Sequence, residues 1–364
     1  MTWVPESDDM PTPQTAVLAA TPPRRKHWTE RVPVLSQLRQ SIGLQRGMLV
    51  TGLVITVVFI VVAVLAPVIA PYSWAQQQTA DGVSFGTQQA PNSLNLLGTT
   101  VSGFDVLSRV LWGAQTALLV IIAAIACSIF IGIALGLLSG YFGGWLDRIL
   151  VVIADAIYAF PSLLLAIVMS IVISRGQSTL AGGIMATAIA ITVVFVPQYF
   201  RVVRSEVVRV RAEPFVDSAK VIGVPTSRIL LRHVLRNSTR SLPVIITLNA
   251  SEALLTLAGL GFLGFGIEAT AAAEWGYDLN RAMEDVTSGI WWTSVFPGVA
   301  IVLVVLGVTL VGESLNDLSD PRLRMRRRAG GKNAGSKNAG SKNAGSKNAR
   351  SEKKAATLSE GAQS

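Results

Sequence analysis

The chain has 364 residues, 51% of them hydrophobic, and a formal charge of +9, with a mean hydropathy of +0.50. That is too apolar for an ordinary soluble domain, so the sequence reads as an integral membrane protein. A single cysteine, Cys127, and two histidines, His27 and His233, exclude an internal disulfide or multi-thiolate metal site and leave a zinc hydrolase or a histidine-based triad without its parts.

Residues 1–41 open with MTWVPESDDMPTPQTAVLAATPPRRK, a proline-, threonine- and charge-rich leader expected to be disordered at least to Lys26. Trp28 to Gln45 suits a surface helix near the headgroups. A membrane span needs roughly 20 apolar residues to cross about 30 Å of hydrocarbon. Six runs qualify: Met48–Ala70, Ala117–Leu138, Ile149–Ile173, Leu180–Phe200, Leu242–Phe265 and Ser294–Leu315. In lipid the backbone must satisfy itself, so these are helices. The first run starts too late and runs too long for a secretory signal and is expected to stay as an anchor. The expected fold is therefore all-α and polytopic, with six transmembrane helices and disordered tails.

Arg24, Arg25, Lys26, Arg31, Arg39 and Arg46 precede the first span, and Arg322, Arg324, Arg326, Arg327 and Arg328 follow the last. By the positive-inside rule both termini are cytoplasmic. The same alternation puts 201–240, with nine Lys/Arg against three acids, inside. It puts 266–293, with Glu268, Glu274, Asp278, Glu284 and Asp285 against Arg281, outside. Beyond Arg328, in the tail 326–364, the pattern Lys-Asn-Ala-Gly-Ser recurs from Lys332 to Ser351. Too polar and glycine-rich to pack a core, this stretch supplies +5 of the net charge, so the basic balance does not indicate nucleic acid. Its lysines suit anionic lipid headgroups; a merely solvated tail is the plainer reading.

Before the second span lies Leu97-Gly98-Thr99-Thr100-Val101-Ser102-Gly103-Phe104-Asp105-Val106-Leu107-Ser108-Arg109. Asp105 and Arg109, four apart, are expected to pair along one helix face. Gly140-Tyr141-Phe142-Gly143-Gly144-Trp145-Leu146-Asp147-Arg148 makes a glycine-rich turn with an aromatic interface anchor. Two carboxylates, Asp155 and Glu252, fall inside apolar runs, where each costs on the order of 2.5–3.5 kcal/mol on insertion scales. Asp155, Tyr158 and Ser162 share one helical face by spacing, as do Asn249, Glu252 and Thr256. Such stripes face either a water-filled translocation pathway or hydrogen-bonding neighbours on packed helices. Gly259-Leu260-Gly261-Phe262-Leu263-Gly264 matches the dinucleotide fingerprint, but it ends a hydrophobic span rather than linking a strand to a helix, so it reads as close helix packing. No phosphate-binding G-x-x-x-x-G-K-[ST] loop occurs.

Within the basic segment Arg201–Arg240, the run Glu213-Pro214-Phe215-Val216-Asp217-Ser218-Ala219-Lys220-Val221-Ile222-Gly223 has the layout of a short docking helix. Ser218 and Ala219 are small enough for a partner's close approach, and Gly223 allows the positive φ at which a helix stops. An ordinary basic loop that only sets topology is the alternative. This run resembles the cytoplasmic "EAA" loop of ABC importer permeases of the dipeptide, oligopeptide and nickel family. Asp217-Ser218-Ala219 stands where that family usually has Glu-Ala-Ala. Leu235-Arg236 replaces its usual Leu-Pro, leaving Pro243 to start the next helix. The 97–109 box, the 140–148 turn, Ala159-Phe160-Pro161-Ser162, Ala258–Gly266, Glu274-Trp275-Gly276, Phe296-Pro297-Gly298 and the terminal Gly312–Leu323 run resemble the family in order and spacing, across about 42–325.

The resemblance, strongest to dipeptide-permease "C" subunits, implies a type I ABC importer permease fold. Residues 42–110 would be the family's N-terminal addition and 111–325 the transport core. It implies no catalytic residue, metal or cofactor in this chain; ATP and Mg would be held by partners. Those partners are a second homologous permease, two ABC ATPase subunits and an extracytoplasmic substrate-binding protein, assembled in a bacterial cytoplasmic membrane. Glu213, Pro214, Phe215, Asp217, Ser218, Ala219 and Gly223 would couple ATPase movement to alternating access for di- or oligopeptides. A nickel-chelate permease shares these motifs. A secondary transporter or channel, the reading from another class, would favour internal repeats, and none is evident.

Overall fold

The computed structural model describes residues 44–174, 180–239 and 241–319. The leader, the proposed surface helix from Trp28 except its last two residues, which begin the first membrane helix, and the basic tail lie outside these residues. Among the described residues the chain is helical, with only two isolated bridges, Gln78–Ser84 and Thr99–Asp105. Five helices are long and apolar enough to cross a membrane. They contain the first, second, fourth, fifth and sixth expected spans, the first apart from Ala70 and the fifth apart from its last three residues.

Helix α1 (Leu44–Ile69) precedes an extended loop and α2 (Val106–Phe142). At 37 residues, α2 runs about 55 Å at about 1.5 Å per residue, well beyond the hydrocarbon layer. The expected third span, Ile149–Ile173, is not one helix. It is two, α3 (Gly144–Tyr158) and α4 (Ser162–Ser174), bent by 98° at the break. Pro161 supplies no amide proton and pushes Phe160 out of helical geometry, which ends α3. Two carboxylates then hold α3 against the next helix, α5 (Leu180–Arg211). Arg204 donates to Asp147 at 2.5 and 2.7 Å, and Arg201 to Asp155 at 2.6 Å.

Helices α2 and α5 form the main packed pair, and small residues bring them together. Gly132, Gly136 and Gly140 recur every four residues on α2. A β-carbon at each would lie 2.4 Å from Tyr199 Cβ, 2.9 Å from Val203 Cβ and 2.8 Å from Val207 Cβ respectively. Such stripes let helix backbones approach in lipid, where dispersion replaces the hydrophobic driving force. Farther along, Ser128 Oγ donates to Thr192 O at 3.2 Å and Thr192 Oγ1 to Ala124 O at 3.3 Å.

Past Arg211 the chain makes α6 (Pro214–Val221) and then a helical run whose centre, Ile229–Val234, is π-helical. Helix α7 (Leu242–Phe262) starts with Pro243 in its first turn, the role expected of that proline. After α7, Gly264 at φ +82° turns the chain. Phe265 N–H bonds Leu260 O and Gly264 N–H bonds Gly261 O, a pair that closes the helix end. Short helices α8 (Trp275–Arg281) and α9 (Met283–Thr287) precede α10 (Trp292–Ser319). Helix α10 packs on α1 through reciprocal glycines, Gly52 against Leu310 and Gly307 against Ile55.

Candidate functional site

Helix α6 is bounded at both ends by backbone devices. Glu213 supplies the extended N-cap at φ −75°, ψ 140°, and Pro214 occupies the first turn, where its missing N–H costs nothing. The Glu213 carbonyl accepts from Val216 N–H at 2.9 Å. At the other end, Gly223 sits at φ +78°. Gly223 N–H bonds Lys220 O and Val224 N–H bonds Ala219 O, both at 3.0 Å, the six-to-one and five-to-two bonds of a glycine-capped helix. Val216 and Ala219 are buried, in one apolar core with Val207 and Val210 of α5, Ile229, Val234 and Leu242 of α7.

The opposite side of α6 faces outward. Phe215 is exposed, Asp217 pairs with Lys220 at 2.9 Å on the surface, and Ser218 Oγ donates to Pro214 O at 3.0 Å. Val221 and Ile222 are 87% and 77% exposed, so apolar surface is concentrated at the helix end. Glu213, Pro214, Phe215, Asp217, Ser218, Ala219 and Gly223 were the residues expected to couple; Val221 and Ile222, inside the same run, were not among them. Two apolar residues directly before a capping glycine in a basic loop were the available signal.

The two polar stripes inside the membrane are regrouped by the break in the third span. Asp155 lies on α3, held by Arg201, whose guanidinium also stacks over the Tyr158 ring at 4.4 Å. Ser162 begins α4, so Asp155, Tyr158 and Ser162 do not share one helix face. Tyr158, Ser162 and Glu252 instead meet, with Ile157, Phe160, Leu165, Val194 and Gln198, around a cavity of about 220 Å³. Asn249 and Thr256 are buried within α7, where Thr256 Oγ1 donates to the Glu252 carbonyl at 2.9 Å.

A third cluster, where the loop before α2 meets the segment after α7, differs from the expected Asp105–Arg109 pair. Asp105 is the N-cap of α2: its Oδ2 accepts from Ser108 N–H and Ser108 Oγ at 2.7 Å, and its Oδ1 from Asn95 at 3.0 Å. A carboxylate engaged by an amide and hydroxyl of its own first turn and by a loop asparagine is taken up there rather than by a neighbour one turn along. Arg109 is 1% exposed and turns to Asp278 instead, Nε donating at 2.7 and 2.9 Å. Its Nη1 donates to Trp74 O at 2.9 Å, and Phe104 lies beneath it with a centroid distance of 5.2 Å. One guanidinium thereby ties the loop before α2 to the segment after α7.

Beside it, Glu274 caps α8, accepting from Gly276 N–H at 2.8 Å and Tyr277 N–H at 2.7 Å. Burial pushes the Glu274 carboxyl up to about 8 against those two amides. Burial likewise raises Asp278, partly offset by Arg109. This turn lodges against α7, where Gly276 meets the Ala258 carbonyl and Gly261 meets Glu274 with no room for a β-carbon. Gly259 meets Leu163 of α4. The glycine series at the end of α7 is thus a packing device, partly against the α8 turn rather than another span.

Residues 132–325, which hold α6, the cavity and the α8 turn, match the family described as binding-protein-dependent transport system inner membrane component. The chain belongs to this permease family. Residues 44–91 match the N-terminal transmembrane domain of oligopeptide transport permease C. The permease is 36% identical over 305 residues to a dipeptide transport system permease protein DppC of Alkalihalophilus pseudofirmus, covering 84% of this chain and 95% of that one. It is 32% identical over 287 residues to a glutathione transport system permease protein GsiD of Pectobacterium atrosepticum, covering 79% and 89%. It is 35% identical over 284 residues to a GsiD of Escherichia coli, covering 77% and 88%. The permease is accordingly a multi-pass membrane component of an ABC importer, and its relatives are permease subunits rather than enzymes.

Proposed function

We propose that this permease imports short peptides by alternating access, as one of two homologous membrane subunits driven by two ABC ATPase subunits and fed by an extracytoplasmic binding protein. ATP and Mg belong to the ATPases, and both termini of the chain lie in the cytoplasm. The relatives' names, dipeptide in one case and glutathione in others, support a peptide substrate over a nickel chelate.

The observation that carries the coupling is the two-sided construction of α6. Phe215, Val221 and Ile222 are offered outward, while Val216 and Ala219 share a core with α5 and α7. A motor that pushed α6 would move the cytoplasmic end of α5 and, through Ile229, Val234 and Leu242, the start of α7. Packed cores transmit such displacements because they do not compress.

The test is uptake of a labelled dipeptide by cells carrying the whole transporter, with and without this subunit, and with Gly223→Asp. No side chain lies within 4 Å of a β-carbon at Gly223, so the substitution strains the φ +78° cap by about 1–2 kcal/mol without a clash. Uptake is expected to need this subunit and to be lost in Gly223→Asp while membrane insertion is retained. Normal uptake by that variant would sink the coupling role.

A further inference from the structure

We propose that the cavity at Glu252 binds the amino-terminal ammonium group of a peptide in transit; this rests on the peptide-import reading above. Glu252 is the eleventh of the 21 residues of α7, about 15 Å from either end at about 1.5 Å per residue. It therefore stands near mid-membrane, where a carboxylate persists because it has work or a partner. Among the described residues no cation pairs with it. Arg201, which lies against the Tyr158 wall of the same cavity, is already engaged by Asp155. Asp155 and Arg201 offset one another, so the formal charge left at the cavity is the negative one of Glu252.

The walls fit that charge. Tyr158 and Phe160 bring aromatic rings, and Ser162 and Gln198 bring hydrogen-bonding groups, around about 220 Å³. A carboxylate beside aromatic faces is a setting for an ammonium ion. The volume is several times the roughly 30 Å³ share of one water, enough for the amino end of a peptide and not for a long one. An α-ammonium is common to all free peptides, so such a site grips the one feature that does not vary with side chain. Intrahelical bonding does not account for the carboxylate, because Thr256 uses only the Glu252 carbonyl.

The assay is labelled alanyl-alanine uptake by proteoliposomes holding the complete transporter, with its external binding protein supplied. Glu252→Gln is expected to lower the maximal rate at least tenfold with KM unchanged, and Glu252→Asp to recover most of the loss. Assembly and melting temperature of the Gln variant should match wild type. A free-amine photoprobe, alanyl-p-benzoylphenylalanine, should crosslink to wild type during turnover and several-fold less to Glu252→Gln. Wild-type rate and crosslinking in Glu252→Gln would overturn the site and leave peptide import standing. A rate loss that follows a lowered melting temperature and is not recovered by Asp would assign Glu252 to packing. An assembled wild-type complex that imports no peptide would remove the peptide reading and this site together.

Discussion

Replacing Arg109 by Met tests the buried clamp between Trp74 and Asp278 most directly. The substitution leaves Asp278 buried without its cation and strips the Trp74 carbonyl of its donor at 2.9 Å. Breaking a buried ion pair from one side costs about 3–5 kcal/mol, chiefly because the remaining charge is stranded. At about 1.4 kcal/mol per factor of ten, the folded-to-unfolded ratio falls by two to four orders of magnitude. Exposed pairs set the contrast. Arg209 and Glu206 lie 2.6 Å apart with Arg209 62% exposed, and losing such a solvent-screened surface pair should barely change stability. Unfolding by SDS in mixed micelles, followed by tryptophan fluorescence, reads both. Trp74 and Trp112, stacked edge-on at 5.2 Å, report from beside the site. Arg109→Met with Asp278→Leu should recover much of the loss, since two apolar residues remove both buried charges. A single-variant cost no larger than that of Arg209→Ala would refute the argument that Arg109 is a buried structural cation.

Other expectations follow from particular contacts. Glu274 has its pKa raised from 4.5 to about 8 in the folded chain, so the folded state holds a proton that the unfolded state releases. This contribution is complete below about pH 4.5 and is lost as pH rises to about 8, with Asp278 acting in the same sense. Melting temperatures at pH 5 and pH 8 should diverge less in Glu274→Gln than in wild type; equal slopes would contradict the assignment. Gly136→Leu drives a side chain into Val203, 2.9 Å from where its β-carbon would stand. Overpacking of this kind costs about 1–3 kcal/mol, read as lower thermal stability in detergent, with Gly136→Ala falling between. Ile222→Asp places a charge on the exposed end of α6 and should reduce ATPase subunits recovered with the purified complex several-fold, without lowering this chain's own melting temperature. Full recovery would show that this surface is not the contact.

The membrane class, the positions of the long apolar helices and the family were legible in the sequence because each depends on local or one-dimensional signals. Hydropathy over 20 residues reports a span wherever that span packs. Proline at 214 and glycine at 223 bound α6 through backbone sterics alone, so its limits could be read without a neighbour. The break at Pro161 was visible as a residue type, yet hydropathy ran straight through it. The 98° bend leaves the two aspartates of α3 against Arg201 and Arg204 of α5, partners 46 and 57 residues away.

Charge pairing was the least legible feature, for the same reason. Four-residue spacing offered Asp105 to Arg109, but the N-cap position claimed Asp105 for the amides of α2, and Arg109 found Asp278 at a separation of 169 residues. The meeting of Tyr158, Ser162 and Glu252 around one cavity likewise comes from folding α4 against α7. The apolar spans and the ends of α6 were readable from the chain itself, since solvation and backbone geometry act residue by residue. Tertiary structure alone decided which charges meet and which polar groups share a cavity, because those energies depend on distances that only the packed chain sets.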